Sequence, residues 1–287
     1  MTTWPLVCAL TAGVSNALLG VLAKQAQHSG CRAEVVPVLM LGAVGLLGGL
    51  ALPWAPGDWG DPGLWALATG MGLLYVTALQ SMIVANRTCP PSLVWSLANL
   101  ALVLPVVLAP LLLREPWQPI DGLLVAAFLV MLACFRRGLG QSGEAARAPW
   151  KQVWLPLAGV FLSNGLLMLG YKLEAQHWPQ VGAVPFLVLV FGSGAVLGLL
   201  ARRRSPGRVS AAEWRWGLLM GLAGTVANLC VLGAVVLPAV VAFPLVQGTA
   251  LIGGTVLMVV LYDEPLNAAK LLGLTCGGLV LALAMGR

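Results

Sequence analysis

Ser15-Asn16-Ala17-Leu18-Leu19-Gly20-Val21-Leu22-Ala23-Lys24 and Ser163-Asn164-Gly165-Leu166-Leu167-Met168-Leu169-Gly170-Tyr171-Lys172 are two copies of one pattern, 148 residues apart. Each copy is a Ser-Asn pair, seven further residues and a lysine. The same offset carries Thr77 onto Thr225, Gln80 onto Asn228, Trp95 onto Phe243 and Asn99 onto Gln247. Glu115-Pro116 recurs as Glu264-Pro265, 149 residues on. Chance likeness between apolar helices explains matched leucines; it is a poor account of polar groups matched in order. All of these residues sit in or at the ends of long apolar segments, where a polar side chain is costly. Their repetition marks the part of the chain expected to carry function.

Around these copies the chain is 59% hydrophobic and 9% charged, with a mean hydropathy of +0.92. A soluble domain carries about 25% charged residues. Apolar stretches of the roughly 17–25 residues needed to cross a bilayer fill almost the whole chain. The polar stretches at about 138–151 and 202–213 are too short for a soluble domain. The reading is an integral membrane protein with nothing appended. The apolar run after Met1-Thr2-Thr3-Trp4-Pro5 lacks a basic leader and is too long for a signal-peptide core, so it reads as a retained first helix.

Ten spans are expected: 5–27, 34–54, 63–86, 91–113, 118–137, 152–174, 181–201, 213–236, 239–262 and 266–286. The segments are long and continuously apolar without dyad alternation, which selects helices over a barrel. Turn signals separate them, among them Asp58-Trp59-Gly60-Asp61-Pro62-Gly63 and Cys89-Pro90-Pro91. The repeat is therefore five helices: residues 1–137, a connecting loop at 138–151, and residues 152–287. An odd number places the second copy upside down, the inverted-topology repeat of many secondary transporters. Thirteen of the 16 Lys and Arg residues fall on the loops after the odd-numbered spans and their helix ends. The positive-inside bias then puts those loops in the cytoplasm of a cell (inner) membrane protein and both termini outside.

The repeated residues suggest a cavity. Thr77 and Gln80, an i, i+3 pair, share a helix face, and Thr225 and Asn228 repeat it. Trp95 and Asn99 are an i, i+4 pair, repeated by Phe243 and Gln247. With Asn16, Asn164 and Tyr75 they form a candidate substrate site of amides, hydroxyls and aromatic walls, suited to planar or cationic groups. The competing reading is polar glue between helices. Lys24 and Lys172 lie eight residues, about 12 Å, beyond the asparagines. They read either as snorkelling to the interface or as a pair of gates, one per face. Pro105, Pro185 and Pro244 lie inside expected spans and are expected to kink them. Gly42-x-x-Gly45-x-x-Gly48, Gly217-x-x-x-Gly221-x-x-Gly224 and Gly273-x-x-x-Gly277 allow close helix approach.

Other chemistry is not expected. No Asp or Glu lies in mid-span, Glu115 and Glu174 being at helix ends, so a central carboxylate relay is absent. There is no P-loop, no nucleophile–base pair and no metal-ligand spacing. Gly138-x-Gly140-x-x-Gly143 follows a membrane helix rather than a strand and reads as a loop. The six cysteines are scattered; Cys31 and Cys89 fall in loops on one face, where a disulfide needs an oxidising compartment. No cofactor and no nucleic-acid partner are expected. The chain is not read as an enzyme. Its expected partners are a small-molecule substrate and membrane lipids, with a monomer or homodimer both open.

This pattern resembles the drug/metabolite transporter superfamily, specifically its EamA-like branch. The resemblance rests on Ser15-Asn16 to Lys24, Ser163-Asn164 to Lys172, Leu113-Arg114-Glu115 and Tyr262-Asp263-Glu264, and on the architecture of two five-helix halves. It implies a secondary carrier of small metabolites working by alternating access through a central cavity. Amino-acid-like, amine and nucleotide-like substrates all stay open, and a flippase for lipids or lipid-linked phosphates is the alternative. Members of the branch commonly keep both termini in the cytoplasm, opposite to the charge bias here.

Overall fold

A computed structural model describes residues 3–55, 59–88, 91–139, 150–202, 207–262 and 266–285. Cys89, the loop at 140–149, Arg203-Arg204, the Asp263-Glu264-Pro265 motif and the Trp95 side chain, all singled out above, lie outside it. The described residues form eleven α-helices and no strand: α1 (Thr3–His28), α2 (Val36–Ala51), α3 (Pro62–Thr88), α4 (Pro91–Leu100), α5 (Val103–Leu113), α6 (Pro119–Leu139), α7 (Trp150–His177), α8 (Ala183–Arg202), α9 (Ala211–Ala234), α10 (Ala239–Tyr262) and α11 (Ala268–Met285). Seven helical stretches, in α1, α2, α3, α7, α8, α9 and α10, are long and apolar enough to cross a membrane. At 1.5 Å per residue the 24 residues of α10 reach about 36 Å, more than the ~30 Å hydrocarbon layer. Shorter apolar helical stretches cover Leu97–Leu113, Pro119–Cys134 and Ala268–Ala284.

The segment expected as one span over 91–113 is two helices, and Pro105 is the reason. Proline has no N–H to give the Ala101 carbonyl, and its ring clashes with that carbonyl in a continuous helix. The chain tightens instead: Leu104 N–H donates to Ala101 O at 3.0 Å and Leu102 N–H to Asn99 O at 3.3 Å, both three residues back. Pro185 does not kink a helix. It sits in the first turn of α8, where an N–H would have no helical partner. Pro244 lies inside α10, and Pro110 and Pro156 lie inside α5 and α7.

Packing is dominated by contacts between the two halves of the sequence. Helix α1 packs on α9 and α10, α2 on α8 and α9, α3 on α7 and α8, α7 on α4 and α5, and α6 on α11. Glycines set the closest approaches and show the register. Gly42, Gly45 and Gly48 of α2 face Ala195, Gly192 and Val188 of α8, so these helices run antiparallel. Gly217 and Gly221 of α9 face Leu39 and Ala43 of α2, so those two run parallel. At Gly72 the backbones of α3 and α8 are so close that an added Cβ would lie 2.7 Å from Gly194 N and 2.8 Å from Val190 O. The apolar outer surface, with Leu46, Leu50, Leu111 and Val260 each about 70% exposed, matches a chain solvated by lipid rather than water.

The ends of the bundle are tied by polar contacts. Ser210 and Glu213 form a capping box at the start of α9. Glu213 also takes a two-pronged contact from Arg32, at 2.7 Å from Nε and 2.9 Å from Nη2. That hydrogen bond to Glu213 raises the Arg32 guanidinium pKa above its ordinary value. Before α3, Asp61 accepts from Trp178 Nε1 at 2.6 Å and from Gly63 N–H at 2.7 Å. The Trp178 bond, then the Gly63 bond, hold its carboxyl below the usual range.

Candidate functional site

The two halves meet at a small polar cluster. Tyr75 from α3 and Tyr171 from α7 place their hydroxyl oxygens 2.7 Å apart. Each also lies within donor reach of Asn228 Oδ1 on α9, at 2.9 Å and 2.6 Å. Two hydroxyl protons therefore serve three short oxygen contacts. Asn228 spends one amide proton on its own helix, donating to Gly224 O at 2.7 Å, which fixes the carbonyl toward the tyrosines. Aromatic rings close the cluster: Phe191 lies 4.8 Å from the Tyr75 ring and Phe186 6.3 Å from that of Tyr171. A satisfied network in a low-dielectric setting positions its members firmly.

Of the expected lining residues, Tyr75 and Asn228 join this cluster. Asn164, Thr225 and Thr77 instead bond inside their own helices, to Val160 O, Gly221 O and Leu73 O. This backbonding satisfies a hydroxyl or one amide N–H without a neighbouring helix. Thr77 lies on the exposed side of α3 beside Leu73 and Val84 and does not face the cluster. Asn99 and Phe243 are buried. Asn16, Gln80 and Gln247 are partly exposed and make no side-chain hydrogen bond among the described residues, as amides bordering a wetted space would. Buried Thr249 Oγ1, near Gly13, has no partner either. Trp95 lies on α4.

The two repeated lysines stand at opposite ends and differ. Lys172 is buried and does not snorkel. Its ammonium donates to Val235 O at 2.8 Å and Leu237 O at 2.7 Å in the α9–α10 turn, and pairs with Glu115 just beyond α5. Glu115 in turn accepts from Ala239 N–H at 2.8 Å. Three ammonium protons meet three acceptors, leaving the group fully used. This latch joins Glu115 of the first half to three elements of the second. Lys24 is half-buried; it lies 3.9 Å over the Tyr262 ring and 3.6 Å from Met258 Sδ. Two cavities adjoin the Lys172 end. One, of about 290 Å³, is bordered by Lys172, Gln176 and Val235. The other, of about 340 Å³, reaches Trp4, Cys8, Glu174 and Cys230. They share Ala175 and Val236.

Tyr171, Glu115 as a lysine partner, and Glu174 as a cavity residue were not singled out from sequence as site members. Tyr171 stands opposite Ala23, and Tyr75 opposite Ala223, at the 148-residue offset. A search for repeated polar residues passes over groups present in one half alone. Among the described residues no group of His, Cys, Asp and Glu is arranged to hold a metal ion.

No protein-family model matches the sequence, and no curated protein matches it. A crystal structure of a protein with 18% sequence identity superposes with a TM-score of 0.77, covering 98% of this chain and 98% of its own. That likeness shows a shared fold over the full length and nothing of activity.

Proposed function

We propose that this chain is a secondary transporter of a small polar or amphipathic metabolite, with ten spans in two inverted five-helix halves, similar to the EamA-like branch of the drug/metabolite transporters. In this reading α4 and α5 together make the fourth span. The observation that carries it is the pairing of helices. Exchanging the halves turns α1 on α9 into α7 on α3, α1 on α10 into α7 on α4 and α5, and α2 on α9 into α8 on α3. The equivalent helices α2 and α8 run in opposite directions, as inversion requires. Such exchange-related packing supports a rocking motion in which two nearly equivalent arrangements alternate around a fixed site.

In this reading the polar cluster of Tyr75, Tyr171 and Asn228 supplies that site together with buried Asn99 and the partly exposed amides Asn16, Gln80 and Gln247. The Lys172 latch then closes one end while Lys24 marks the other. A bound substrate favours the rocking step only by interacting differently with the two arrangements. The test is uptake by proteoliposomes of a mixed panel of radiolabelled amino acids, amines and nucleosides. Tyr171→Phe, Asn228→Ala and Gln247→Ala should each lower uptake of the transported compound. Uptake no greater than that of protein-free vesicles across the panel would refute the carrier. Unchanged uptake by all three variants would refute the site.

A further inference from the structure

The 340 Å³ cavity beside the latch is lined by a carboxyl group that no cation among the described residues pairs with. Its walls come from the first turns of α1, the last turns of α7 and α9, and the α7–α8 connection. Among the described residues of that lining Glu174 is the one that carries a charge. It is 5% exposed, and its carboxylate has no hydrogen-bond or ion-pair partner among the described residues. The nearby Lys172 does not compensate it. Two positions apart on a helix the side chains diverge, and all three Lys172 protons are committed to Glu115, Val235 O and Leu237 O.

An unpaired carboxylate in a largely apolar recess is costly, because it has lost much of its water and gained no partner. A ligand that supplies the missing charge recovers that cost, and an anion adds to it. The remaining lining limits the cation further. Leu229, Leu232, Ala183 and Pro179 offer no oxygen cage for a hydrated metal ion. They suit an apolar substituent instead, and the exposed indole of Trp4 at the rim adds apolar surface for it. The volume lies within the range of small-molecule sites, about 300–1,000 Å³.

We propose that this cavity binds a small organic ammonium ion, its nitrogen on Glu174 and its apolar part against Leu229, Leu232 and Trp4. Binding stands on the cavity alone. The site's role rests on the transport reading above, within which it makes amines the cargo class and this cavity their docking point at the Lys172 end.

The test uses the purified full chain in detergent at mildly alkaline pH, with calorimetric titration of phenethylammonium and of its neutral isostere, phenethyl alcohol. The wild type should bind the cation at least about tenfold more tightly, which corresponds to about 1.4 kcal/mol. Glu174→Gln should bring the two affinities together. Ala183→Phe, which fills the cavity, should weaken both. Equal affinity for cation and alcohol in the wild type overturns the site without recourse to any variant, as does a cation preference that survives Glu174→Gln. Labelled phenethylammonium in proteoliposomes separates the two ideas. Binding without uptake of any panel compound overturns the carrier and leaves the cation site. Uptake of other compounds without cation binding overturns the site and leaves the carrier.

Discussion

Lys172→Met removes the ammonium of the latch and keeps most of the volume of its stem. What stays behind is Glu115, bonded only through Ala239 N–H, and the Val235 and Leu237 carbonyls without their shared donor. Breaking a buried pair by removing one partner costs about 3–5 kcal/mol. Each orphaned buried carbonyl adds about 1–3 kcal/mol at most, less where water from the adjoining cavity reaches it. The lower figure, about 3 kcal/mol, is therefore the floor. At roughly 2–4 °C per kcal/mol the unfolding midpoint falls by about 6–12 °C. Glu115→Gln keeps an acceptor for Ala239 N–H and loses only the charge, so its cost is smaller. The double variant should be less damaging than the sum of the two, with a coupling of up to about 3 kcal/mol. Thermal unfolding in detergent, followed by tryptophan fluorescence, measures all three. A Lys172→Met midpoint within about 2 °C of wild type, or strictly additive single effects, would refute the latch.

Three further outcomes are expected. Tyr171→Phe deletes one hydroxyl of the triangle and leaves Tyr75 to serve Asn228; thermal unfolding should show a loss of about 1 kcal/mol, alongside the fall in uptake described above. Gly72→Ala pushes a Cβ into the Gly194 and Val190 backbone and should cost about 1–3 kcal/mol, whereas Gly70→Ala, with open space at its Cβ inside α3, should hold or slightly raise the unfolding midpoint. The carboxyl of Asp61 is held low in the folded state by Trp178 and Gly63, so its bonds contribute stability at neutral pH and lose it as pH falls through that lowered value. The Trp178 indole N–H resonance should shift in that acid window, and in Asp61→Asn the shift should be absent.

Helix positions were readable because apolar runs have to be as long as the layer they cross. The ends of α10 coincide with the expected 239–262. The α4–α5 break was harder to read. Pro105 announces a lost hydrogen bond, but whether the chain kinks or re-forms depends on which carbonyls find new donors, and only the fold decides that. The polar cluster was legible in part, at Asn228 through the repeat and at Tyr75 as an aromatic residue near it. Asn228 came from the echo of Gln80, whereas Tyr171 faces an alanine at the equivalent position. The i, i+3 pairing of Thr77 and Gln80 gave a shared face without saying which way it points, and Thr77 points outward. Lys172 and Glu115 were each visible as helix-end charges. Their meeting across 57 residues depends on how α7 sits against the end of α5.

The latch has a kinetic consequence. Val235, Leu237 and Ala239 lie within five consecutive residues, so the turn that carries them moves as one piece. Pulling it from α7 and from Glu115 strips the ammonium of its two carbonyls and the carboxylate of its N–H, and leaves the Lys172–Glu115 pair behind on the other side. In the proposed carrier, opening at this end would release all three of these contacts at one short turn, and its rate would be set by the barrier to that release. In that reading, variants that weaken a single one of these contacts should speed the opening.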